Sequence, residues 1–199
     1  MSKTFLYIFL TISAFAPSSF GQRIGGNFSC SKIFQIITAE EVIKAYEKAW
    51  NNSKIYCEGY CDSNVTKLFI AIKKTIPGLH ANEVNVLIIS QPLGRVAESA
   101  DEGVYTALKP RGERRPWKYH VVLEFRGVIF DLDYTDRPLP LPKARYFKEF
   151  FDHEMISKLV VYVVTGEEYF MSSSKYKVDI PIFMKNKQPI PAFKFAHTP

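Results

Sequence analysis

Beyond its first 21 residues this chain has no apolar run near the roughly 20 residues that a membrane-spanning helix needs. It also lacks internal repeats and any aromatic-interleaved basic stripe. Its histidines are few, and His80, His153 and His197 lack the close spacing of a zinc site. They read as surface or structural residues. The three cysteines are an odd count, so at least one thiol stays unpaired or pairs between molecules. Cys30 with Cys57 would leave Cys61 free, and a Cys57–Cys61 latch is the other arrangement. These absences leave no case for a membrane protein or a metal enzyme.

What is present fits one ordinary core: 199 residues, 47% of them hydrophobic, give a prior of one domain. Residues 1–21 read as an export signal, with Lys3 as the charged end, residues 5–16 as the apolar stretch and Ser19-Phe20-Gly21 as a small-residue cleavage site. Their removal takes one positive charge from the formal +6 and leaves a chain expected to be secreted or periplasmic, free of the membrane and monomeric. Lys109, Arg111, Arg114, Arg115 and Lys118 form a basic run, which reads as a solvated loop; no nucleic-acid partner is expected.

Thr38 and Glu41 form a capping-box pattern ahead of a helix over 39–50. A second helix starts near Asp62 or Ser63, with Cys61 at its N-terminus, and stops before Pro77-Gly78. A strand is expected over 84–90 and a long loop over 91–116. Residues 117–125 and 128–134 should pair as a hairpin turning at Arg126-Gly127. Pro138, Pro140 and Pro142 should break structure. An amphipathic helix is expected over 146–155, a buried strand over 159–164 and an edge strand over 178–183, with Phe193 and Phe195 packing the tail back.

Three pieces carry the chemistry: Tyr60-Cys61-Asp62-Ser63, Trp117-Lys118-Tyr119-His120 and Phe130-Asp131-Leu132-Asp133. A thiol at a helix start is favoured as thiolate, a neighbouring imidazole can take its proton, and a carboxylate can orient that imidazole. On a regular hairpin the opposed positions sum to a constant, which sets His120 across from Asp133 and diagonal to Asp131. Spacing alone leaves both aspartates open as the orienting acid.

Cys61-Asp-Ser-Asn-Val-Thr-Lys-Leu, Trp117-Lys-Tyr-His-Val-Val-Leu, Asp131-Leu-Asp and Pro138-Leu-Pro-Leu-Pro together resemble the protein N-terminal glutamine amidohydrolase family. The resemblance implies an α+β fold of papain-like or transglutaminase-like type, the Cys-bearing helix packed on an antiparallel sheet that carries His and Asp. It implies removal of the side-chain amide of an N-terminal glutamine, without cofactor or metal, by Cys61 as nucleophile, His120 as base and Asp131 as orienting acid. Asp62, Tyr119 and Asp133 would contact substrate, with Glu58 as a further carboxylate for its α-ammonium; simple helix capping is the plainer role for Asp62. Residues 22–55 then form an N-terminal extension and 56–199 the core. The secreted protein glutaminases, which act on internal glutamines, are a second similar group. Other Cys-His-Asp acyl-transfer enzymes, such as peptidases or transglutaminases, and a non-catalytic secreted binding module remain the alternatives. Sequons stand at Asn27, Asn51 and Asn64, and a glycan at the last would obstruct the site.

Overall fold

The computed structural model describes residues 36–91, 117–151, 153–172 and 180–197, which fall within one compact unit spanning 35–199. The signal segment, Cys30, Asn27, the long loop and the basic run up to Arg115 lie outside the described residues.

Helix α1 (Ala39–Trp50) is closed at its start by the expected box: Glu41 N–H donates to Thr38 Oγ1 and Thr38 N–H to Glu41 Oε2. Val42, Ala45, Tyr46 and Ala49 form its buried face, as the i, i+3, i+4, i+7 spacing requires. Helix α2 (Cys61–Thr75) begins at the cysteine itself and buries Val65, Leu68, Phe69 and Ile72. Strand β1 (Asn85–Ser90) is central and pairs antiparallel with β2 (Tyr119–Phe125) and with β5 (Val160–Thr165). The turn at Arg126 and Gly127, both at positive φ, leads into β3 (Val128–Phe130). Two positive φ values in a two-residue loop match the right-handed twist of the hairpin it closes.

Two short strands, β4 (Leu141–Pro142) and β6 (Ile190–Pro191), complete a six-stranded sheet that runs β4-β3-β2-β1-β5-β6, antiparallel at every pairing, so the protein is of mixed α+β class. Strand alternation gives it a separate core on each face. Val86, Ile88, Val121 and Leu123 pack with α1 and α2, while Leu87, Ile89 and Val122 pack with α3 (Lys143–Phe150). No helix among the described residues is long and apolar enough to cross a membrane.

Several expectations are corrected. Strand β3 ends at Phe130 rather than 134. The proline stretch supplies a short edge strand, β4 (Leu141–Pro142), paired with Val128 and Ile129; proline is tolerated at an edge because no inner ladder bond is lost. The helix expected over 146–155 is two, α3 and α4 (His153–Ile156), separated by Phe151 in extended conformation. That break lets Phe150 and Phe151 both enter the core, their rings 5.0 Å apart.

Nor is 178–183 an edge strand. Its first two residues are outside the described set, and from Ile180 the chain is helical: α6 (Ile180–Asn186) follows α5 (Gly166–Met171) and buries Ile180, Phe183 and Met184. Pro181 sits in the first turn, where a missing N–H costs nothing. The edge strand is β6 (Ile190–Pro191), paired with Val160 and Val161. In α7 (Phe193–Ala196), Phe195 stacks on Phe147 at 5.2 Å, whereas Phe193 is exposed.

Helix α1, in the stretch read as an extension, is built into the same core as α2. Its Tyr46 ring meets Phe130 edge-on at 5.4 Å, and its hydroxyl donates to the Asp131 backbone oxygen at 2.6 Å.

Candidate active site

The local sequence sets up the start of α2. Gly59 takes a positive φ of 77°, and Tyr60 is the N-cap without a side-chain cap bond. The first-turn amides of a helix have no intrahelical acceptor, and they carry the positive end of its dipole. Cys61 occupies the first helical position, so its sulfur sits in that field. Asn64 fixes the approach: its side chain accepts from Cys57 N–H and donates to Cys57 O, both at 2.8 Å. With both ends of its amide engaged and 2% exposure, Asn64 cannot carry a glycan in this fold.

The histidine comes from β2. The β2–β3 ladder pairs Phe125 with Val128, Glu124 with Ile129 and Leu123 with Phe130, in the register expected for a regular hairpin. Past Phe130 the chain leaves the ladder, so residues 119–122 of β2 have no β3 partner. There Asp131 comes to His120, and Cys61 at the start of α2 comes to Tyr119. His120 Nε2 lies 2.8 Å from Asp131 Oδ2, and the Cys61 sulfur lies 3.9 Å from the Tyr119 backbone oxygen.

Asp131 is held from three further directions. Tyr146 Oη donates to Oδ2 at 2.7 Å, Asp133 N–H to Oδ1 at 2.8 Å, and Tyr46 to its main chain. Trp117 lies parallel over the His120 ring, centroids 4.4 Å apart, and Phe150 flanks it at 5.6 Å. The imidazole is therefore fixed in plane and shut off from water. His120 Nδ1 is buried and forms no ordinary hydrogen bond, while the Cys61 side chain is the neighbour that acts on the ring besides Asp131.

Burial works against a charged imidazole, yet the Asp131 charge and hydrogen bond, with a smaller push from Cys61, hold His120 well above the usual range. An imidazolium next to a thiol at a helix start is the environment in which thiolates act as nucleophiles. Cys61 retains 5% exposure and His120 none, so of the pair Cys61 is the residue nearer to solvent.

The other sequence-selected residues divide into two groups. Asp62 and Tyr119 flank Cys61: both Asp62 and Cys61 act on the Tyr119 hydroxyl, which burial first pushes up to about 12. One Asp62 carboxylate oxygen accepts from Ser63 N–H at 2.7 Å, the helix-start role, and its backbone oxygen accepts from Tyr169 at 3.3 Å. Asp133 instead is interior, 5% exposed, behind Asp131. Burial and the charge of Asp131 push it up to about 6, against the pull of His120, Tyr56 and Asn64. Glu58 is half-buried in the turn before α2. Cys57 and Cys61 are both free thiols, the first exposed and the second buried.

Tyr146, Tyr46, Asn64 and Trp117 were not singled out from sequence as supports of the site. Only Trp117 had a local signal, as the aromatic opening the histidine strand. Tyr46 and Tyr146 reach Asp131 across 85 and 15 positions of chain, which no local pattern encodes. Against known proteins, the chain matches no family model and no curated protein sequence.

Proposed function

We propose that this protein is a cysteine-dependent amidohydrolase that converts an N-terminal glutamine to glutamate with release of ammonia. In this reading the α+β fold is of the papain-like or transglutaminase-like type, and the protein acts after export and loss of residues 1–21. The observation that carries the reading is the 2.8 Å contact of His120 Nε2 with Asp131 Oδ2, which leaves buried Nδ1 for the thiol of Cys61.

The Cys61 thiolate attacks the carboxamide carbon, and electrons move onto the carbonyl oxygen. The Cys61 backbone N–H, in the first turn of α2, is the donor available to that oxyanion. As the intermediate collapses the C–N bond breaks, and His120 delivers its proton to the departing nitrogen, which leaves as ammonia. Water then attacks the thioester; His120 takes one proton from it, and the C–S bond breaks to give glutamate and restore the thiol. Asp131 keeps Nε2 as the protonated nitrogen throughout. In this reading Asp62, with Tyr119 beside it, is the carboxylate that meets the substrate α-ammonium. Asp133 is too buried for that contact and takes the part of a neighbour to Asp131 instead.

The test is ammonia release and a deamidation mass shift from peptides with N-terminal Gln, internal Gln or N-terminal Asn, with Cys61→Ala as control. Turnover of the N-terminal Gln peptide alone is expected. Turnover of internal Gln would make the protein a glutaminase of folded or unfolded chains. No release dependent on Cys61 from any peptide would sink the amidohydrolase reading and favour another acyl transfer or a binding role.

A further inference from the structure

The outer seam between α1 and α2 is hollow, although both helices bury their other faces well. Two adjoining hollows of about 710 and 500 Å³ run along it and share Lys48 and Thr75. Their floor is aliphatic: Ile37, Ala45, Ala49, Ile55, Ile70 and Ala71. Ile70 is 39% exposed, one of the few large apolar side chains left to solvent on a helix. Their rim is cationic: Lys44, Lys48, Lys67 and Lys74. Among the described residues none of these four lysines forms an ion pair. The carboxylate that lines the hollows, Glu41, is already held by Thr38 in the helix cap.

We infer that this seam docks an acidic, amphipathic segment of a protein partner, apolar side chains on the aliphatic floor and carboxylates against the lysine rim. Charge complementarity selects this occupant. A second copy of the chain carries a net positive charge of its own, and residues 1–34 contain Lys3, Arg23 and Lys32 but no acid, so neither complements the rim. Single-stranded nucleic acid would want aromatic faces for its bases, and no aromatic side chain lines the hollows. Small-molecule sites use fixed, converging polar groups. Here the polar groups are the ends of long, solvated side chains.

The dimensions agree with a helical or extended peptide. Helix α1, 12 residues long, offers about 18 Å of seam. Lys67 and Lys74 lie about 9 and 20 Å along α2 from Cys61, so an occupant would leave the thiol uncovered. The proposal therefore stands whether or not Cys61 is a nucleophile.

The probe is a fluorescein-labelled peptide of about 16 residues, with leucine at helical i, i+3, i+4, i+7 spacing and glutamate elsewhere, titrated with the full mature chain and read by anisotropy. Saturable binding is expected, weakening with salt. Reversing Lys48, Lys67 and Lys74 together to Glu should raise Kd about tenfold or more. Ile70→Asn, which keeps every lysine, should raise it a few-fold, while reversal of exposed Lys148, Lys158 and Lys185 should leave it unchanged. No saturable binding, equal loss in the two triple variants, or indifference to Ile70→Asn would overturn the proposal. So would tighter, seam-dependent binding of a single-stranded oligonucleotide, or self-association through the seam in sedimentation. Circular dichroism of each variant checks that the helices persist.

Discussion

Tyr146 Oη and His120 Nε2 meet on one oxygen, Asp131 Oδ2, at 2.7 and 2.8 Å. All three side chains are buried, so the carboxylate is solvated by protein donors in place of water. Tyr146→Phe removes one donor and keeps the ring packing. A hydrogen bond to a charged group contributes about 1.5–3 kcal/mol, and a loss of that size is expected in urea unfolding. A change below about 0.5 kcal/mol would mean that the bond is not formed in solution.

Asp131→Asn tests what holds His120 protonated. The folded pKa of His120 is raised, so the stability it brings is complete below about pH 6.5 and is lost as pH rises through the folded value. In Asp131→Asn that loss should shift to lower pH or disappear, and the His120 C2-proton titration should move down. If the reaction proposed above is right, kcat should fall about 10³- to 10⁴-fold with the chain still folded. An unmoved titration would show that Asp131 is not the cause.

The carboxyl of Asp133 makes the protein sensitive to pH in a second window. Its folded pKa, about 6, lies above the ordinary value of 3.8, so native stability falls as pH rises from about 4 through 6. Asp133→Asn removes that penalty. Its melting temperature should therefore exceed that of the unmodified chain by several degrees at pH 7.5, and by much less at pH 4. A difference independent of pH would overturn the assignment.

Asn64→Ala leaves the N–H and C=O of Cys57 without the partners they have at 2.8 Å. The expected cost is about 1–3 kcal/mol, counted as two hydrogen bonds lost in a partly buried turn whose Cys57 is exposed. Because that turn leads directly into Cys61, the thiol should also react faster or slower with iodoacetamide than in the parent chain. Unchanged unfolding together with unchanged alkylation would show that the clamp has no role.

Much of this was legible in the chain where signals are local. The capping box of α1, the helix with Cys61 at its N-terminus, expected to start one or two residues later than it does, and the Arg126-Gly127 turn with its register all follow from patterns a few residues long. What the register could not tell is where β3 stops: continued pairing would have set Asp133 across from His120, whereas departure at Phe130 brings Asp131 to it. Residues 178–183 misled because Val, Ile and Phe suit a strand as well as a short buried helix, and only the packing of Ile180, Phe183 and Met184 separates them. The tyrosines on Asp131 were invisible because their contacts are tertiary.

The brevity of β3 has a wider consequence. Two more ladder pairs would extend β3 alongside Val122 and Val121 and add hydrogen bonds to the sheet, yet they would hold Asp131 opposite Val122 instead of at His120. If the reaction proposed above is right, added hydrogen bonds and chemistry pull in opposite directions at this edge. A descendant chain could then fall silent by gaining hydrogen bonds, without losing Cys61, His120 or Asp131.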